Sequence, residues 1–131
     1  MKNGKGYIKE YDYVDKLIFE GEYIKGIRNG IGKEYYWNNN QLLFEGEYLN
    51  GQRNGKGKEF DRNNKIIFKG EYLNGKRNGN GKEYYDNGEL KFDGEYLNGE
   101  INGKVKEYTD KGRLIFDGEY FNGKRWKRKR I

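Results

Sequence analysis

The sequence lacks several residue types on which most catalytic and metal sites depend. It contains no cysteine, histidine, proline, serine or alanine, and its one threonine is Thr109. The absence of cysteine excludes disulfides and thiolate metal sites, and it is compatible with a reducing compartment. Without serine, cysteine or histidine, the common nucleophile and base pairs of covalent catalysis cannot be assembled.

Carboxylates are the one abundant class of catalytic side chain. A glycosidase-type pair needs two carboxylates with distinct roles, whereas the glutamates of this chain recur periodically and none differs from its copies. The sequence has no EF-hand loop, and its Gly-Lys-Arg-Asn-Gly segments lack the strand, loop and helix context of a phosphate-binding loop. We therefore predict a chain that is not an enzyme and has no cofactor or metal site.

The chain is also poor in apolar residues. Hydrophobic residues make up 33% and charged residues 37%, and the mean hydropathy is −1.29. Such values approach those of disordered chains, but aromatic residues reach 17% and are regularly spaced. This combination predicts a thin, single-layer fold. No apolar run approaches the ~20 residues of a membrane-spanning helix, and the N-terminus does not resemble a secretory signal. We expect a soluble, cytoplasmic protein, with peripheral membrane attachment as the alternative.

The positive charge of the chain is concentrated near its C-terminal end. The net charge is +6, and six cations lie in one short segment: Lys124, Arg125, Lys127, Arg128, Lys129 and Arg130. Residues 1–123 hold equal numbers of basic and acidic side chains. Together with Trp126, the six cations are candidate contacts with anionic lipid, because basic clusters are attracted to anionic membranes by about 1 kcal/mol per charge. Nucleic-acid binding, a nuclear import signal and a solvated tail are the alternatives for residues 124–131.

A repeat of 24 or 25 residues organises the rest of the chain. Its marker is Phe-x-Gly-Glu-Tyr, whose central glycines are Gly21, Gly46, Gly70, Gly94 and Gly118. The pattern divides residues 1–123 into a half unit at 3–16, full units at 17–41, 42–65, 66–89 and 90–113, and a half unit at 114–123. The basic segment 124–131 is predicted to lie after this array.

Each unit has the pattern of two β-strands joined by tight turns. In the fourth unit, Phe92, Gly94 and Tyr96 alternate with mostly polar residues, which is the period of a strand. Asn-Gly pairs such as Asn74-Gly75 tolerate the positive φ angles of hairpin turns, and Gly or Asn interrupts every window long enough for a helix. The sequence therefore predicts an all-β fold, an elongated, single-layer, twisted antiparallel sheet of tandem hairpins. About ten strands would make it on the order of 45–50 Å long.

One face of this sheet is predicted to carry the repeated phenylalanine and tyrosine side chains. Alternation places the Phe and the Tyr of each marker on this face, and the central glycine leaves room for a neighbouring ring. The aromatic residue of the second strand is expected to join them through a bulge, although strict alternation would place it on the other face. Leu43 and its copies are expected on the opposite face. The predicted aromatic face comprises Phe19, Tyr23, Tyr35, Phe44, Tyr48, Phe60, Phe68, Tyr72, Tyr84, Phe92, Tyr96, Tyr108, Phe116 and Tyr120.

Charged residues recur in two further rows. Marker glutamates such as Glu47 are expected on the opposite face, paired with lysines of adjacent strands such as Lys58, at roughly 0.2–1 kcal/mol per pair. One arginine recurs near the turn of most units: Arg28, Arg53, Arg77 and Arg125. We interpret these arginines as solvated turn residues. The alternative is a linear phosphate-binding track, which Ile101 interrupts.

The segment of residues 44–57, Phe-Glu-Gly-Glu-Tyr-Leu-Asn-Gly-Gln-Arg-Asn-Gly-Lys-Gly, resembles the MORN repeat. That pattern runs aromatic-x-Gly-x-aromatic, then Asn-Gly, then polar-Gly-x-Gly. The resemblance covers residues 3–125, and the second halves of the units are similar to the variant MORN repeats of bacterial proteins. Asn replaces the usual His, Tyr replaces the Trp, and Ile101 and Val105 replace an Arg and a Gly in the fourth unit. The resemblance implies a twisted antiparallel sheet with an aromatic-lined groove, acting in protein interaction or in binding anionic phospholipids.

These observations favour a non-catalytic scaffold that binds a protein partner through the aromatic-lined face or the open sheet edges. Unpaired edge strands also favour self-association. The alternative function is peripheral binding of phosphoinositide or phosphatidylserine headgroups through the basic segment. Nucleic acid is a disfavoured partner, because no basic face interleaves with aromatic residues outside that segment. The aromatic face itself is either a core of rings packed on one another or a groove partly open to a partner, and both can hold.

Overall fold

The computed structural model of the protein describes residues 4–129. These residues form one antiparallel sheet of eleven strands, in which each strand pairs with its neighbours in sequence. The strands are β1 (Lys5–Tyr11), β2 (Leu17–Ile24), β3 (Ile27–Tyr35), β4 (Leu42–Leu49), β5 (Gln52–Phe60), β6 (Ile66–Leu73), β7 (Lys76–Tyr84), β8 (Leu90–Leu97), β9 (Glu100–Tyr108), β10 (Leu114–Phe121) and β11 (Lys124–Arg128). The prediction of a single all-β sheet of tandem hairpins is confirmed.

Two kinds of turn connect the strands. On one side, both central residues have positive φ, as at Asn74 (50°) and Gly75 (87°) between β6 and β7. These angles fit a type I′ turn, whose twist matches that of the flanking strands. On the other side the turn is longer and is closed by a backbone hydrogen bond between its ends. Between β7 and β8, for example, the Tyr85 N–H donates a 2.9 Å hydrogen bond to the Glu89 carbonyl. The two turns alternate, and the chain therefore forms a meander.

The strand register aligns small residues in a row across the sheet. Gly57 of β5 lies opposite Gly46 of β4 on one side and Gly70 of β6 on the other. Because the glycines of this row have no side chains, phenylalanine rings pack directly against the backbone of the sheet. A Cβ atom added at Gly57 would lie only 2.5 Å from the Cζ atom of Phe44. The core of this single layer is therefore formed by rings that pack against the sheet itself.

The sheet extends further toward the C-terminus than the repeat pattern predicted. Lys124–Arg128, expected to belong to a separate basic tail, form β11 and pair with β10. The Lys129 N–H also donates a 2.7 Å hydrogen bond to the Asp117 carbonyl. The side-chain pattern did not predict this strand, because Trp126 occupies the position of a repeat Asn. The strand nevertheless forms, because strand pairing depends on backbone groups. Arg130, the last of the candidate lipid contacts, lies outside the described residues.

Candidate interaction surfaces

One face of the sheet, which we call the aromatic face, carries a continuous stack of rings. The Phe44 ring lies 5.8 Å from the Tyr48 ring and 5.2 Å from the Tyr72 ring, centroid to centroid, and both pairs are edge-to-face. Such pairs contribute about 0.5–1.5 kcal/mol each beyond their burial. The solvent-exposed fraction is 0% for Phe19, Phe44 and Phe68. This part of the aromatic face is a packed core whose phenylalanine rings present no surface to a partner.

Arginine side chains cover the rings. The Arg53 Cζ atom lies 4.0 Å from the centroid of the Phe44 ring, and the guanidinium binds the Glu34 carboxylate through Nε at 2.7 Å and Nη2 at 2.6 Å. The strand register brings Arg53 to this face because it sets the residue opposite Tyr48. Equivalent contacts are made by Arg28 with Phe19 and Glu10, by Arg77 with Phe68 and Glu59, and by Arg125 with Phe116 and Glu107. The interpretation as solvated turn residues is therefore wrong for Arg28, Arg53 and Arg77, whereas the Arg125 side chain stays 48% exposed.

Tyrosine hydroxyls complete the same network. Glu59 accepts hydrogen bonds from Arg77 Nε, at 2.9 Å, and from the Tyr72 hydroxyl. Burial acts to raise the pKa of Glu59, but the hydrogen bonds from Arg77 and Tyr72 outweigh it and lower that pKa. Burial, followed by the hydrogen bond to Glu59, raises the pKa of Tyr72. At neutral pH the carboxylate is charged and the phenol is neutral, so the carboxylate links consecutive repeat units through both partners.

The fourth unit interrupts both the ring stack and the arginine row. Ile101 occupies the arginine position, and Val105 occupies the glycine row opposite Gly94. Val105 is buried, whereas Phe92 is only partly buried and its ring lies 6.3 Å from that of Tyr120. The buried side chains accordingly form two clusters, and Ile101 packs against both.

The aromatic residue near the end of each second strand lies on the opposite face. Glu83 pairs across the sheet with Phe92, so the next residue, Tyr84, points the other way and lines a groove with Lys82. The expected bulge exists, but it lies in the first strand of each unit, and Leu43 consequently packs against the aromatic cluster. The expectation that the second-strand aromatics share the aromatic face is therefore wrong for Tyr35, Phe60, Tyr84 and Tyr108. The expectation that Leu43 lies on the opposite face is also wrong.

The marker glutamates Glu22, Glu47 and Glu71 bind backbone amides rather than lysines. Glu47 Oε2 accepts a 2.7 Å hydrogen bond from the Lys56 N–H, where the register of β4 and β5 shifts. Equivalent bonds run from the Ile31 N–H to Glu22 and from the Asn80 N–H to Glu71. Lys58 lies opposite Glu45 instead of Glu47. The predicted pairing of these glutamates with the lysine row is therefore wrong, because the shift in register gives the carboxylate a backbone donor.

The opposite face, which we call the polar face, contains an open groove of about 730 Å³ along the glycine row. Glycines such as Gly57, Gly70 and Gly81 line it, and Tyr84 lies at one side. Its other lining residues are mainly charged, four of them lysines and three of them acids: Lys56, Lys58, Lys69, Lys82, Glu45, Glu71 and Asp93. The groove is thus wide, shallow and of mixed charge.

A row of exposed apolar side chains borders the polar face. Leu49 follows Tyr48 in β4 and so points away from the aromatic face. Its copies recur every 24 residues near the two-residue turns, and all are about half exposed: Leu49 49%, Leu73 48%, Leu97 50% and Phe121 58%. We call these four residues the apolar row. The expectation of an aromatic-lined groove did not include them.

Comparison with protein-family models identifies the repeat. The model of the MORN repeat matches residues 19–41, 44–65, 68–89 and 92–104, which together make up more than half of the chain. The chain belongs to the MORN-repeat family. MORN repeats are generally associated with protein or membrane-lipid interactions, and a scaffold built from them is not a known enzyme class. No curated protein matches the chain at a significant level of similarity.

The last strand of this MORN-repeat sheet is basic and exposed. All residues of β11 are exposed, and the Trp126 ring lies 5.9 Å from the Phe121 ring. Arg125 binds Glu107 at 2.8 Å, and Lys129 lies 3.8 Å from Asp117. Two of the predicted lipid contacts are therefore engaged within the sheet. Within residues 4–129 we find no helix of the length and apolarity that a membrane span requires.

Proposed function

We propose that this MORN-repeat protein is a non-catalytic scaffold whose apolar row binds a protein partner. The supporting observation is the apolar row itself. Leu49, Leu73, Leu97 and Phe121 recur on every second strand, at a spacing of about 10 Å, and each is about half exposed. An extended apolar row beside charged side chains is characteristic of interaction surfaces. Because Phe19, Phe44 and Phe68 of the aromatic face are fully buried, the proposed contact lies on the polar face instead.

The partner that fits this row is a protein segment with one apolar side and charged flanks. The first residues of the second strands, Gln52, Lys76, Glu100 and Lys124, lie opposite the apolar row. Their mixed charge favours a partner that carries both signs of charge over a polyanion. This argues for a protein over nucleic acid.

The test compares two double variants in affinity capture followed by mass spectrometry. Leu73→Lys with Leu97→Lys alters the apolar row, and Tyr13→Lys with Val14→Lys introduces the same charge at exposed apolar residues outside it. We expect both variants to keep the circular dichroism spectrum of the unaltered chain. A protein retained by the unaltered chain and by the control, but lost by the row variant, supports the proposal. Retention of the same proteins by the row variant contradicts it.

Self-association is a related expectation, because β1 and β11 are the two edges of the sheet. An unpaired strand edge can pair with a second copy, and end-to-end pairing would lengthen the scaffold. Sedimentation velocity over a range of protein concentrations tests this expectation. A constant monomer mass would exclude self-association over that range.

A second candidate function, binding of anionic phospholipid, is favoured by β11. Trp126 and Phe121 are 59% and 58% exposed and in contact, with Lys124 and Lys127 beside them. An aromatic pair flanked by cations suits a membrane interface. Deleting residues 124–131 would also remove β11 and the Arg125 contact with Glu107. The better test is therefore Lys124→Glu with Lys127→Glu, which preserves the strand.

Co-sedimentation with vesicles decides this point. We expect the unaltered chain to bind phosphatidylserine vesicles but not neutral vesicles, and to dissociate from the vesicles as the salt concentration is raised. The double charge variant is expected to lose this binding. Binding that is equal for both proteins, or that is insensitive to salt, would contradict a role for β11.

A further inference from the structure

One row of charges on the polar face breaks its own pattern in the third repeat unit. The residue before the marker glycine is acidic in the other units: Glu20, Glu45, Asp93 and Asp117. In the third unit this residue is Lys69. The corresponding residue of every second strand is a lysine: Lys33, Lys58, Lys82 and Lys106. Acid and base therefore alternate across the sheet except at Lys69.

The register places three lysines side by side at this point. Lys69 of β6 lies directly opposite Lys58 of β5 and Lys82 of β7. Side chains so placed have Cβ atoms about 4.5–5.5 Å apart, and like charges in this arrangement repel each other. Within residues 4–129 none of the three lies within ion-pair distance of a carboxylate. Lys58 and Lys82 each face one acid on their outer side, Glu45 and Asp93, so the row of five residues keeps one net positive charge, centred on Lys69.

The surroundings of the three lysines define what can bind there. All three line the groove of the polar face, whose floor is the backbone at Gly57, Gly70 and Gly81, because the Cβ positions of these glycines point to the aromatic face. Beyond the cluster, the next residues of the row are Glu45 and Asp93. The positive zone therefore spans three strands, about 10 Å. A compact anion can contact all three ammonium groups, whereas a polyanion or a uniformly anionic surface would also meet the bordering acids.

We propose that Lys58, Lys69 and Lys82 form a binding site for a compact, multiply charged oxyanion, the phosphate group of a small soluble phosphate ester or pyrophosphate. A phosphate group carries close to two negative charges at neutral pH and offers three acceptor oxygens. Three lysines supply a donor for each oxygen and neutralise the charge. The site is separate from the apolar row and from β11, so the inference goes beyond the proposed function.

The test measures thermal stability with inorganic phosphate and with pyrophosphate, against sodium chloride at the same ionic strength. A ligand that binds the folded state raises the midpoint of unfolding. Lys69→Gln removes the central charge, and the matched control Lys106→Gln removes one lysine of the same row that lies between two acids. We expect pyrophosphate to raise the midpoint of the unaltered chain and of the control, and its affinity for Lys69→Gln to fall about tenfold. Equal midpoints in pyrophosphate and chloride, or equal shifts in both variants, overturn the proposal.

A second arm separates a soluble ligand from a lipid headgroup. Phosphatidic acid vesicles present a phosphate monoester on a membrane surface, and phosphatidylcholine vesicles serve as the control. We expect Lys69→Gln to leave binding to phosphatidic acid vesicles unchanged. Vesicle binding that depends on Lys69, without any binding of soluble pyrophosphate, would assign the cluster to membrane lipid and overturn the proposal of a soluble ligand.

Discussion

The substitution Gly57→Ala tests the packing of rings onto the glycine row. The added methyl carbon would lie 2.5 Å from Phe44 Cζ, 2.6 Å from Phe44 Cε1 and 3.0 Å from Tyr72 Cε1. Favourable carbon–carbon contacts are about 3.5–4.0 Å, so the Phe44 ring must move by about 1 Å. That ring is fully buried and covered by the Arg53 guanidinium at 4.0 Å. The φ angle of Gly57 is not positive, so a steric clash with the rings is the expected cost.

The expected change in the free energy of unfolding for Gly57→Ala is the sum of two opposing effects. Overpacking a well-packed core costs about 1–3 kcal/mol, and three close contacts place this site in the upper half of that range. Replacing glycine by alanine restricts the unfolded chain and returns about 0.4–1 kcal/mol. We expect a net loss of about 2 kcal/mol in the free energy of unfolding, equivalent to a fall of roughly 8 °C in the unfolding midpoint. Urea denaturation followed by circular dichroism measures the loss.

A double-mutant cycle identifies the cause. Phe44→Leu removes the outer ring atoms against which the methyl group would clash. In that background we expect Gly57→Ala to cost less than about 0.5 kcal/mol, which corresponds to a coupling energy of at least about 1.5 kcal/mol. If Gly57→Ala costs the same in both backgrounds, the clash with the ring is not the reason, and the argument for the glycine row is refuted.

Three further predictions concern the charged networks. Arg53→Ala should lower the free energy of unfolding by about 2 kcal/mol, because it leaves the half-buried Glu34 carboxylate without the Arg53 donor. The control Arg62→Ala alters an exposed arginine and should change the free energy of unfolding by less than about 0.5 kcal/mol. Urea denaturation compares the two variants. Lys69→Glu should stabilise the sheet by about 0.2–1 kcal/mol at low salt, and a loss of thermal stability would contradict this. The pKa of Glu59 is lower in the folded chain, so its contribution is present at neutral pH and is lost as the pH falls below about 4.3. Stability measured against pH should therefore decline less steeply in this acid range for Glu59→Gln.

The glycine row also accounts for the irregularity of the fourth unit. Val105 occupies the row position that Gly57 and Gly81 hold in the second and third units. Phe92, on the neighbouring strand, is the one marker phenylalanine that stays partly exposed. A side chain on the row therefore displaces the ring that would otherwise cover it. Because Ile101 replaces the repeat arginine, the Phe92 ring also lacks the guanidinium that covers the equivalent ring in the first three full units.

Much of the fold was determined by local sequence. The spacing of the markers, the alternation around Phe92 and Tyr96 and the Asn-Gly turns predicted a meander of hairpins, because turn chemistry and strand periodicity act over a few residues. The MORN resemblance followed from the same short-range pattern. The number of strands was less accessible, because the repeat pattern stops at Trp126, whereas β11 is held to β10 by backbone pairing.

Side-chain partners were decided by the tertiary structure. Alternation after Glu83 places Tyr84 on the polar face, and the register shift between β4 and β5 gives Glu47 a backbone donor in place of a lysine. Neighbouring strands carry Arg53 over Phe44 and set Lys69 opposite two other lysines. One residue of register reverses every side chain from one face to the other, so contacts between strands follow only from the assembled sheet. The sequence alone determined the strands and turns, and the register decided which surfaces are core and which are free to bind.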